Sequence, residues 1–594
     1  MLQIITGKFF TSKELHETLQ RSVIYTNYFL IHPIDTACGR ILPTLSIREV
    51  KETVYEVNQK LEARLKNGEP SGLVAAGVDY LAQDFAAIVS FILSITCSTD
   101  RELVRRLTQM RSAPLGVPCT PNSYVGRVFD PFVPFSVEDS ARLQGFIHEL
   151  MGLERTNYKR VMRAIRRYVT GLHRIGDDLT LAYTLLVASI ESLAQDFDQF
   201  QPIWADYARE KRGAIDKALE HIPQNIAEEV RNAILSNEHV AVSRRFQEFA
   251  IAHVTPSFYR EEASGRQNPL RHGDLSSCLK QAYEIRSRAV HVLLELPPQL
   301  TQIPGIHDTI QLEGRPFLTL QGLTHLARHI ILTYVARAQK VEIEEYDYFH
   351  DIPGLVEMRM AEEYWIWNPA GFNHETSWRY LNGFLCKLSA VITAVPGAAL
   401  PNLGQVLEEI ERQAPGLSQS RRRSMLALYI LFNEFVPSRY RRPGYSAFFA
   451  AYAVEIDSPS IESLLLHTIM EQDGGWTVEQ IEEIRTSYLE QRHWKNGISF
   501  GPLLDTAIAL SLAEKHRASG NDARARELVA AAVEDAPGNT AILEFEKACK
   551  GNIPHINWRI ILLPNTNSTE EQAEDNSAAE LPADCQGAGD VVSE

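Results

Sequence analysis

The stretch that decides the fold is 274–294, DLSSCLKQAYEIRSRAVHVLL. Leu275, Leu279, Ala282, Tyr283, Ala289, Val290 and Leu293 recur at helical spacing along it, and Asp274 stands where an N-cap belongs. Arg286 lies three and four residues from Tyr283, Ala282, Ala289 and Val290, so it projects from the apolar stripe. A guanidinium taken out of water with no acid one turn away on its own helix needs an anionic partner from elsewhere. Five residues on stands His291, the one side-chain type whose unperturbed pKa suits proton transfer near neutrality.

Outward from this helix, the chain reads as helix after helix from about 135 to about 550, with long apolar periodicities and few alternating runs. Residues 1 to about 45 differ. They are rich in β-branched and aromatic residues (LQIITGKFF, SVIYTNYFLI), broken by Pro33, Gly39 and Pro43, and predict a few short strands. Helical patterns follow at about 46–66, 79–97 and 100–111, and a Pro-rich stretch, 114–134, suggests a domain boundary. The expected architecture is mainly α and multidomain. It has a small α+β domain at 1–135 in a sensing role, a helical bundle at 136–345 and a helical domain at 346–500. A helical pair at 501–550 and an acidic tail at 551–594, disordered beyond about 563, complete it. Within 506–539, Leu512, Gly520, Ala525, Val529, Ala532 and Pro537 fall where a tetratricopeptide unit has small, apolar and terminating residues. One such unit cannot bury its own face, so it must lean on preceding helices or on 542–548.

At 594 residues, with 45% hydrophobic and 23% charged content, the chain has ample material for several cores. The net charge of −16 argues against coating nucleic acid over the whole surface, but eight acids fall in 570–594 without a Lys or Arg. Taking those eight from −16 leaves −8, and local basic surfaces are compatible with that. Seven scattered cysteines without a CxxC pair read as reduced thiols. No leader pattern opens the chain, and the longest apolar run, 85–96, is too short for a bilayer span, so a soluble, cytoplasmic protein without membrane contact is expected.

Other motifs are weaker. Gly497-Ile498-Ser499-Phe500-Gly501 fits the nucleophile-elbow pattern, but the polar, helix-like segment before it is not the strand that motif requires. His325 and His329 stand one turn apart without a third ligand in view, which favours a structural role. With no phosphate-binding Gly loop or dinucleotide fingerprint either, no metal or cofactor is expected. From 154 to 174, Arg155, Lys159, Arg163 and Arg167 recur at four-residue steps with Arg160 close by, a stripe able to hold the phosphates of RNA. The plainer reading of that stripe is a solvated helix face.

AYEIRSRAVHVL resembles the R-S-x-x-V-H signature of the Apea-like HEPN domains, matched at Arg286, Ser287, Val290 and His291. LAYTLLVASIESL at 181–193 is similar to that family's first core helix, an apolar run interrupted by one Glu, here Glu191. LTLQGLTHLARHII at 318–331 looks like its closing helix, and the likeness covers about 150–340. A Gly commonly follows the His in that family, whereas this chain has Val292. The resemblance implies an all-α bundle that forms homodimers and cleaves RNA without a metal, in antiphage defence or growth arrest, under a phage-derived or protein trigger. Arg286 and His291 would be its catalytic pair, oriented by Glu191, with Ser287 beside the RNA. The rival expectation is a non-catalytic HEPN and tetratricopeptide-like scaffold that binds RNA or a protein partner.

Overall fold

The computed structural model describes residues 1–563 apart from 47, 64–74, 110–111, 114–116, 196, 198–202, 205–208, 238–241, 302–304, 354–357 and 359. The fold is mainly helical with a small sheet region near the N-terminus, and the chain divides into two compact units, 1–356 and 357 onward.

In the first unit the sheet consists of β1 (Leu15–Thr26), β2 (Ile34–Thr36), β3 (Gly39–Pro43), β4 (Lys51–Glu62) and β5 (Cys97–Ser98), in the order β2-β3-β4-β1-β5. β1 and β4 pair antiparallel over their full lengths, from Leu15 opposite Glu62 to Thr26 opposite Lys51. The helical pattern expected at 46–66 is therefore corrected to a strand. Thr53, Val54, Tyr55 and Val57 favour a pleated surface, and pairing across twelve residues outweighs the weak helical preference of the interspersed Glu and Lys.

Helices follow: α1 (Val78–Leu93), α2 (Val137–Gly152), α3 (Arg155–Arg174), α4 (Leu179–Ala194), α5 (Val242–Ala252) and α6 (Leu275–His291). The hairpin β6 (Thr309–Leu312) and β7 (Arg315–Leu318) then leads into α7 (Leu320–Arg337). The extensive α3–α4 packing depends on Gly171, where a Cβ would stand 3.2 Å from the Ala182 carbonyl oxygen and 3.3 Å from Leu185. Asp178 caps α4 by accepting from the Leu181 amide. Asp274 precedes α6 as expected but makes no side-chain cap bond; a short 3₁₀ turn, His272–Asp274, feeds the helix instead.

No core boundary falls at the Pro-rich stretch. Val117, Tyr124, Val128, Phe129 and Val133 bury in the same apolar core as the sheet and α1 to α7. Polar stitches fix this. Asn27 Nδ2 donates to the carbonyls of Val128 and Asp130, and Gln3 Nε2 donates to those of Met151 and Leu153. A proline-rich segment interrupts helices, but its apolar residues join whichever core they reach.

The second unit is built from α8 (Ser377–Ile392), α9 (Gly404–Gln413), α10 (Gln419–Phe435), α11 (Tyr445–Ile456), α12 (Ile461–Met470) and α13 (Val478–Gln491). These are followed by α14 (Pro502–Ala518), α15 (Asp522–Asp535), α16 (Thr540–Ala548) and α17 (Trp558–Leu562). The boundary expected near 500 lies inside this unit, because one core runs from Ile366 to Trp558. The α14–α15 hairpin stands where the repeat-like pair was expected, with Leu512, Ala525, Val529 and Ala532 buried and Gly520 in the left-handed region at φ 83°. It leans on α12, α13, α16 and α17. The region 551–563 is not tail: Ile553, Ile556 and Trp558 are 3% exposed in the core. The acidic segment 564–594 lies outside the described residues. No helix among the described residues is long and apolar enough to cross a membrane.

Candidate active site

The N-terminal half of α6 is anchored by Leu275, Cys278, Leu279 and Ala282, all buried, against α4, α5 and β7. Beyond that anchor the helix emerges, and Arg286 sits at the transition with its side chain 22% exposed. The anionic partner that its position required is Glu191 on α4. Arg286 Nη2 lies 2.9 Å from Glu191 Oε2, and the guanidinium stands over the Tyr283 ring at 5.7 Å. Arg286 Nε is buried without a hydrogen-bond partner.

More cations gather here than the single ion pair. Arg167 on α3 has its Nη1 buried and without a hydrogen-bond partner, and burial, then the Arg163 charge, hold its pKa below the usual arginine value while Glu191 opposes them. Arg163 Nη1 donates to Gln195 Oε1 at 3.4 Å. Arg245 on α5 and Arg286 both act on Tyr283, whose pKa is raised first by burial and next by Glu191. Glu191 and Arg163 thus both act on Arg167, and Glu191, Arg286 and Arg245 all act on Tyr283, which puts several arginines in one neighbourhood with this carboxylate. The local excess of positive charge favours an anion nearby.

His291 is the last residue of α6, exposed, and makes no hydrogen bond or ion pair among the described residues. It does not meet Arg286 within one chain. Five residues along a helix separate two side chains by roughly 140° and about 7.5 Å of rise. Val292 caps the helix by donating to the Arg288 carbonyl, and Leu293 takes the left-handed conformation at φ 57°. Glycine adopts that conformation without the Cβ clash that Leu293 carries there. Val290, Val292, Leu293 and Leu294 are 48%, 63%, 84% and 52% exposed around His291. Val290, Leu293 and Leu294 edge a cleft of about 580 Å³ that also contacts Asp177, Asp178 and Leu181. Ser287 is half-buried between the pair.

The basic stripe of α3 splits. Arg155 is 3% exposed, with Nη2 2.9 Å from Asp351 Oδ2 and Nη1 donating to Gln3 Oε1, and packs over Phe9, Tyr158 and Tyr346. Lys159 Nζ lies 2.7 Å from Asp351 Oδ1 and donates to the Tyr346 hydroxyl. Arg160 is half-buried near Asn157. Arg155 is thus corrected from an RNA contact to a core cation, because Asp351 and Gln3 fold over it. Of the stripe, Arg167 feels the Glu191 charge, and Arg163 acts on Arg167 and donates to Gln195.

His325 and His329 of α7 are closed into a buried network. His325 lies 3.3 Å from Asp308 and 3.2 Å from Glu262, and its ring stacks on Phe258. His329 Nδ1 lies 2.7 Å from Glu262, while its Nε2 accepts from the Thr255 amide. Ser499 of the elbow-like motif sits in the loop before α14 with no strand ahead of it. Gln195 and Arg245 were missed in the sequence: Gln195, one turn beyond Glu191 at the end of α4, was legible from that spacing, whereas Arg245 lies on α5, outside the segments the motif marks.

No family model, curated protein or solved structure matches the chain.

Proposed function

We propose that the first unit is a HEPN-type endoribonuclease, and that it acts in antiphage defence or growth arrest. The observation that carries this reading is the Arg286–Glu191 pair, which shares its charge environment with Arg163, Arg167 and Arg245 and is followed on the same helix by the exposed His291, unpaired among the described residues. RNA supplies its own nucleophile, the 2′-hydroxyl. Cleavage then needs a group to move a proton and a cation over the phosphorane that forms, roles suited to His291 and Arg286. Glu191 holds the Arg286 guanidinium in place, and Arg163 and Arg167 draw in the flanking phosphates.

Because Arg286 and His291 diverge on one helix, the reading includes a second copy of the chain. A two-fold axis near the end of α6 would bring two arginines and two histidines to one phosphate and cover the exposed Val290, Val292, Leu293 and Leu294. The rival reading, a binding scaffold, is favoured by the same ion pair, which also serves as a plain tie between α4 and α6. Product chemistry separates the two. Purified protein incubated with total RNA in excess EDTA is expected to leave 2′,3′-cyclic phosphate ends. Products bearing 5′-phosphates and formed only with added Mg²⁺ contradict this mechanism, and RNA that is bound but left intact favours the scaffold.

A further inference from the structure

The strand β1 reads LHETLQRSVIYT and is paired along one side only for most of its length. β4 runs beside it from Leu15 to Thr26, whereas β5 meets its other edge at Tyr25 and Thr26. From Leu15 to Ile24 that second edge has no strand beside it among the described residues. Leu15 to Leu19 are all exposed, with Leu15 at 38% and Leu19 at 59%, and so are Arg21 and Val23. The helix Arg101–Thr108, which follows β5 and packs near β1, buries its own Val104 and Leu107 and leaves those side chains uncovered.

The ladder decides which backbone groups face the open side. The Glu14 carbonyl accepts from the Ala63 amide, and the Asn27 amide donates to the Thr96 carbonyl. Backbone direction alternates along antiparallel strands, so even-numbered residues bond towards β4 and odd-numbered ones towards the β5 side. The N–H and C=O groups of Leu15, Glu17, Leu19, Arg21 and Val23 therefore point to the open edge. Such an edge is a template for another strand, and proteins that forbid pairing place proline, lysine or a bulge there. Between 15 and 24 β1 has no proline and no lysine, and its register with β4 runs without a bulge.

The order of these five side chains identifies the strand that fits. If β1 of a second copy runs antiparallel about a two-fold axis at Leu19, Leu19 meets its own equivalent. Glu17 then meets the partner's Arg21, and Leu15 meets the partner's Val23. All lie on one face of the sheet, where opposite charges and apolar pairs across strands are stabilising. Centring on Glu17 or Arg21 would oppose like charges, and centring on Thr18 or Gln20 would set the charges against leucine or valine. Each charge remains able to act across the edge. Glu56 takes the Nε of Arg21 and is shared with Arg40, while the Arg21 side chain stays 64% exposed. Glu17 accepts from Asn58, a neutral amide that does not cancel its charge.

We propose that the first unit self-associates by antiparallel pairing of β1 with β1 of a second copy about Leu19, Glu17 of each copy standing opposite Arg21 of the other. The pairing uses no residue of α6 and is independent of the ribonuclease reading.

Charge reversal tests it, read by sedimentation velocity on the full chain. Wild type should show an association step with Kd on the order of 10 μM. Glu17→Arg opposes two cations in each pair and Arg21→Glu two anions, so either alone should weaken that step at least about tenfold. An equimolar mixture of the two variants restores opposite charges at both pairs and should associate within about threefold of wild type. A second arm reads the register. Leu19→Cys should cross-link to itself on mild oxidation, since its Cα atoms would stand about 5.5 Å apart, within disulfide reach. Leu15→Cys, whose two copies would be about 27 Å apart along the strands, should oxidise no more than wild type. Should a reversed variant fail to fold, the contrast between positions 19 and 15 still decides. Reversed variants that associate as wild type does would overturn the proposal. So would a mixture no tighter than its components, equal cross-linking at the two positions, or a wild-type chain with no association up to about 100 μM.

Discussion

The two halves of α3 carry cations at the same four-residue spacing and meet opposite fates. Arg155 and Lys159, in its first turns, are spent on Asp351, a residue 196 positions away in the case of Arg155, and help close the core. Two turns on, Arg163 donates to Gln195, and Arg167 lies in the field of Glu191 and keeps a buried N–H without a partner. Spacing assigns residues to one side of a helix. What lies opposite depends on chain far away in sequence, and that decides whether a cation is structural or available. In this comparison the first pair is a tie, and the second belongs to the proposed site.

The largest effect should come from breaking the tie. Asp351→Ala strands Arg155, whose side chain is 3% exposed, and should lower the unfolding free energy of the first unit by about 3–5 kcal/mol in chemical denaturation. Arg163→Ala and Arg167→Ala should cost less than about 1 kcal/mol in the same assay, since partly exposed cations contribute little to stability. Equal losses for both halves would erase the distinction.

A middle-sized effect should appear in RNA affinity. Arg167→Ala is expected to weaken binding by about fivefold and to reduce the slope of log K against log salt by about one, the mark of one lost phosphate contact. Lys159→Ala, its charge already met by Asp351, should leave that slope unchanged when measured by salt-dependent fluorescence anisotropy.

The smallest effect concerns another buried cation with remote acids. Burial would lower the pKa of His325, but hydrogen bonds to Asp308 and Glu262 outweigh it and raise the value. A histidine raised above its unfolded value, about 6.5, contributes stability that is full below about 6.5 and is lost as pH rises through the folded pKa. The melting midpoint of wild type should therefore exceed that of His325→Gln by a few degrees, about 1 kcal/mol or less, near pH 6. The gap should narrow at alkaline pH. A gap that widens with pH would mean that the ring is neutral in the fold.

Much of α6 was legible in the sequence, and the reasons are local. The apolar period marked the buried face of its first half, Leu275 to Ala282, but Val290 and Leu293 of the same period are exposed; Arg286 within that period announced its need for an acid. That the acid is Glu191 came from the family likeness, because nothing in spacing joins 191 to 286. The strand Lys51–Glu62 was misread, since twelve residues of pairing with Leu15–Thr26 are a non-local cause. Arg155 was misread for the same reason.

Single-turnover cleavage of a labelled RNA by His291→Ala beside wild type tests the central claim most directly, with melting curves recorded on the same samples. His291 is exposed and makes no hydrogen bond among the described residues, so its removal should leave the melting midpoint unchanged. The cleavage rate should fall by about 10²–10⁴-fold, the usual worth of a proton-transfer group. Cleavage by wild type that persists at full rate in His291→Ala would contradict the assignment of this helix as the catalytic element.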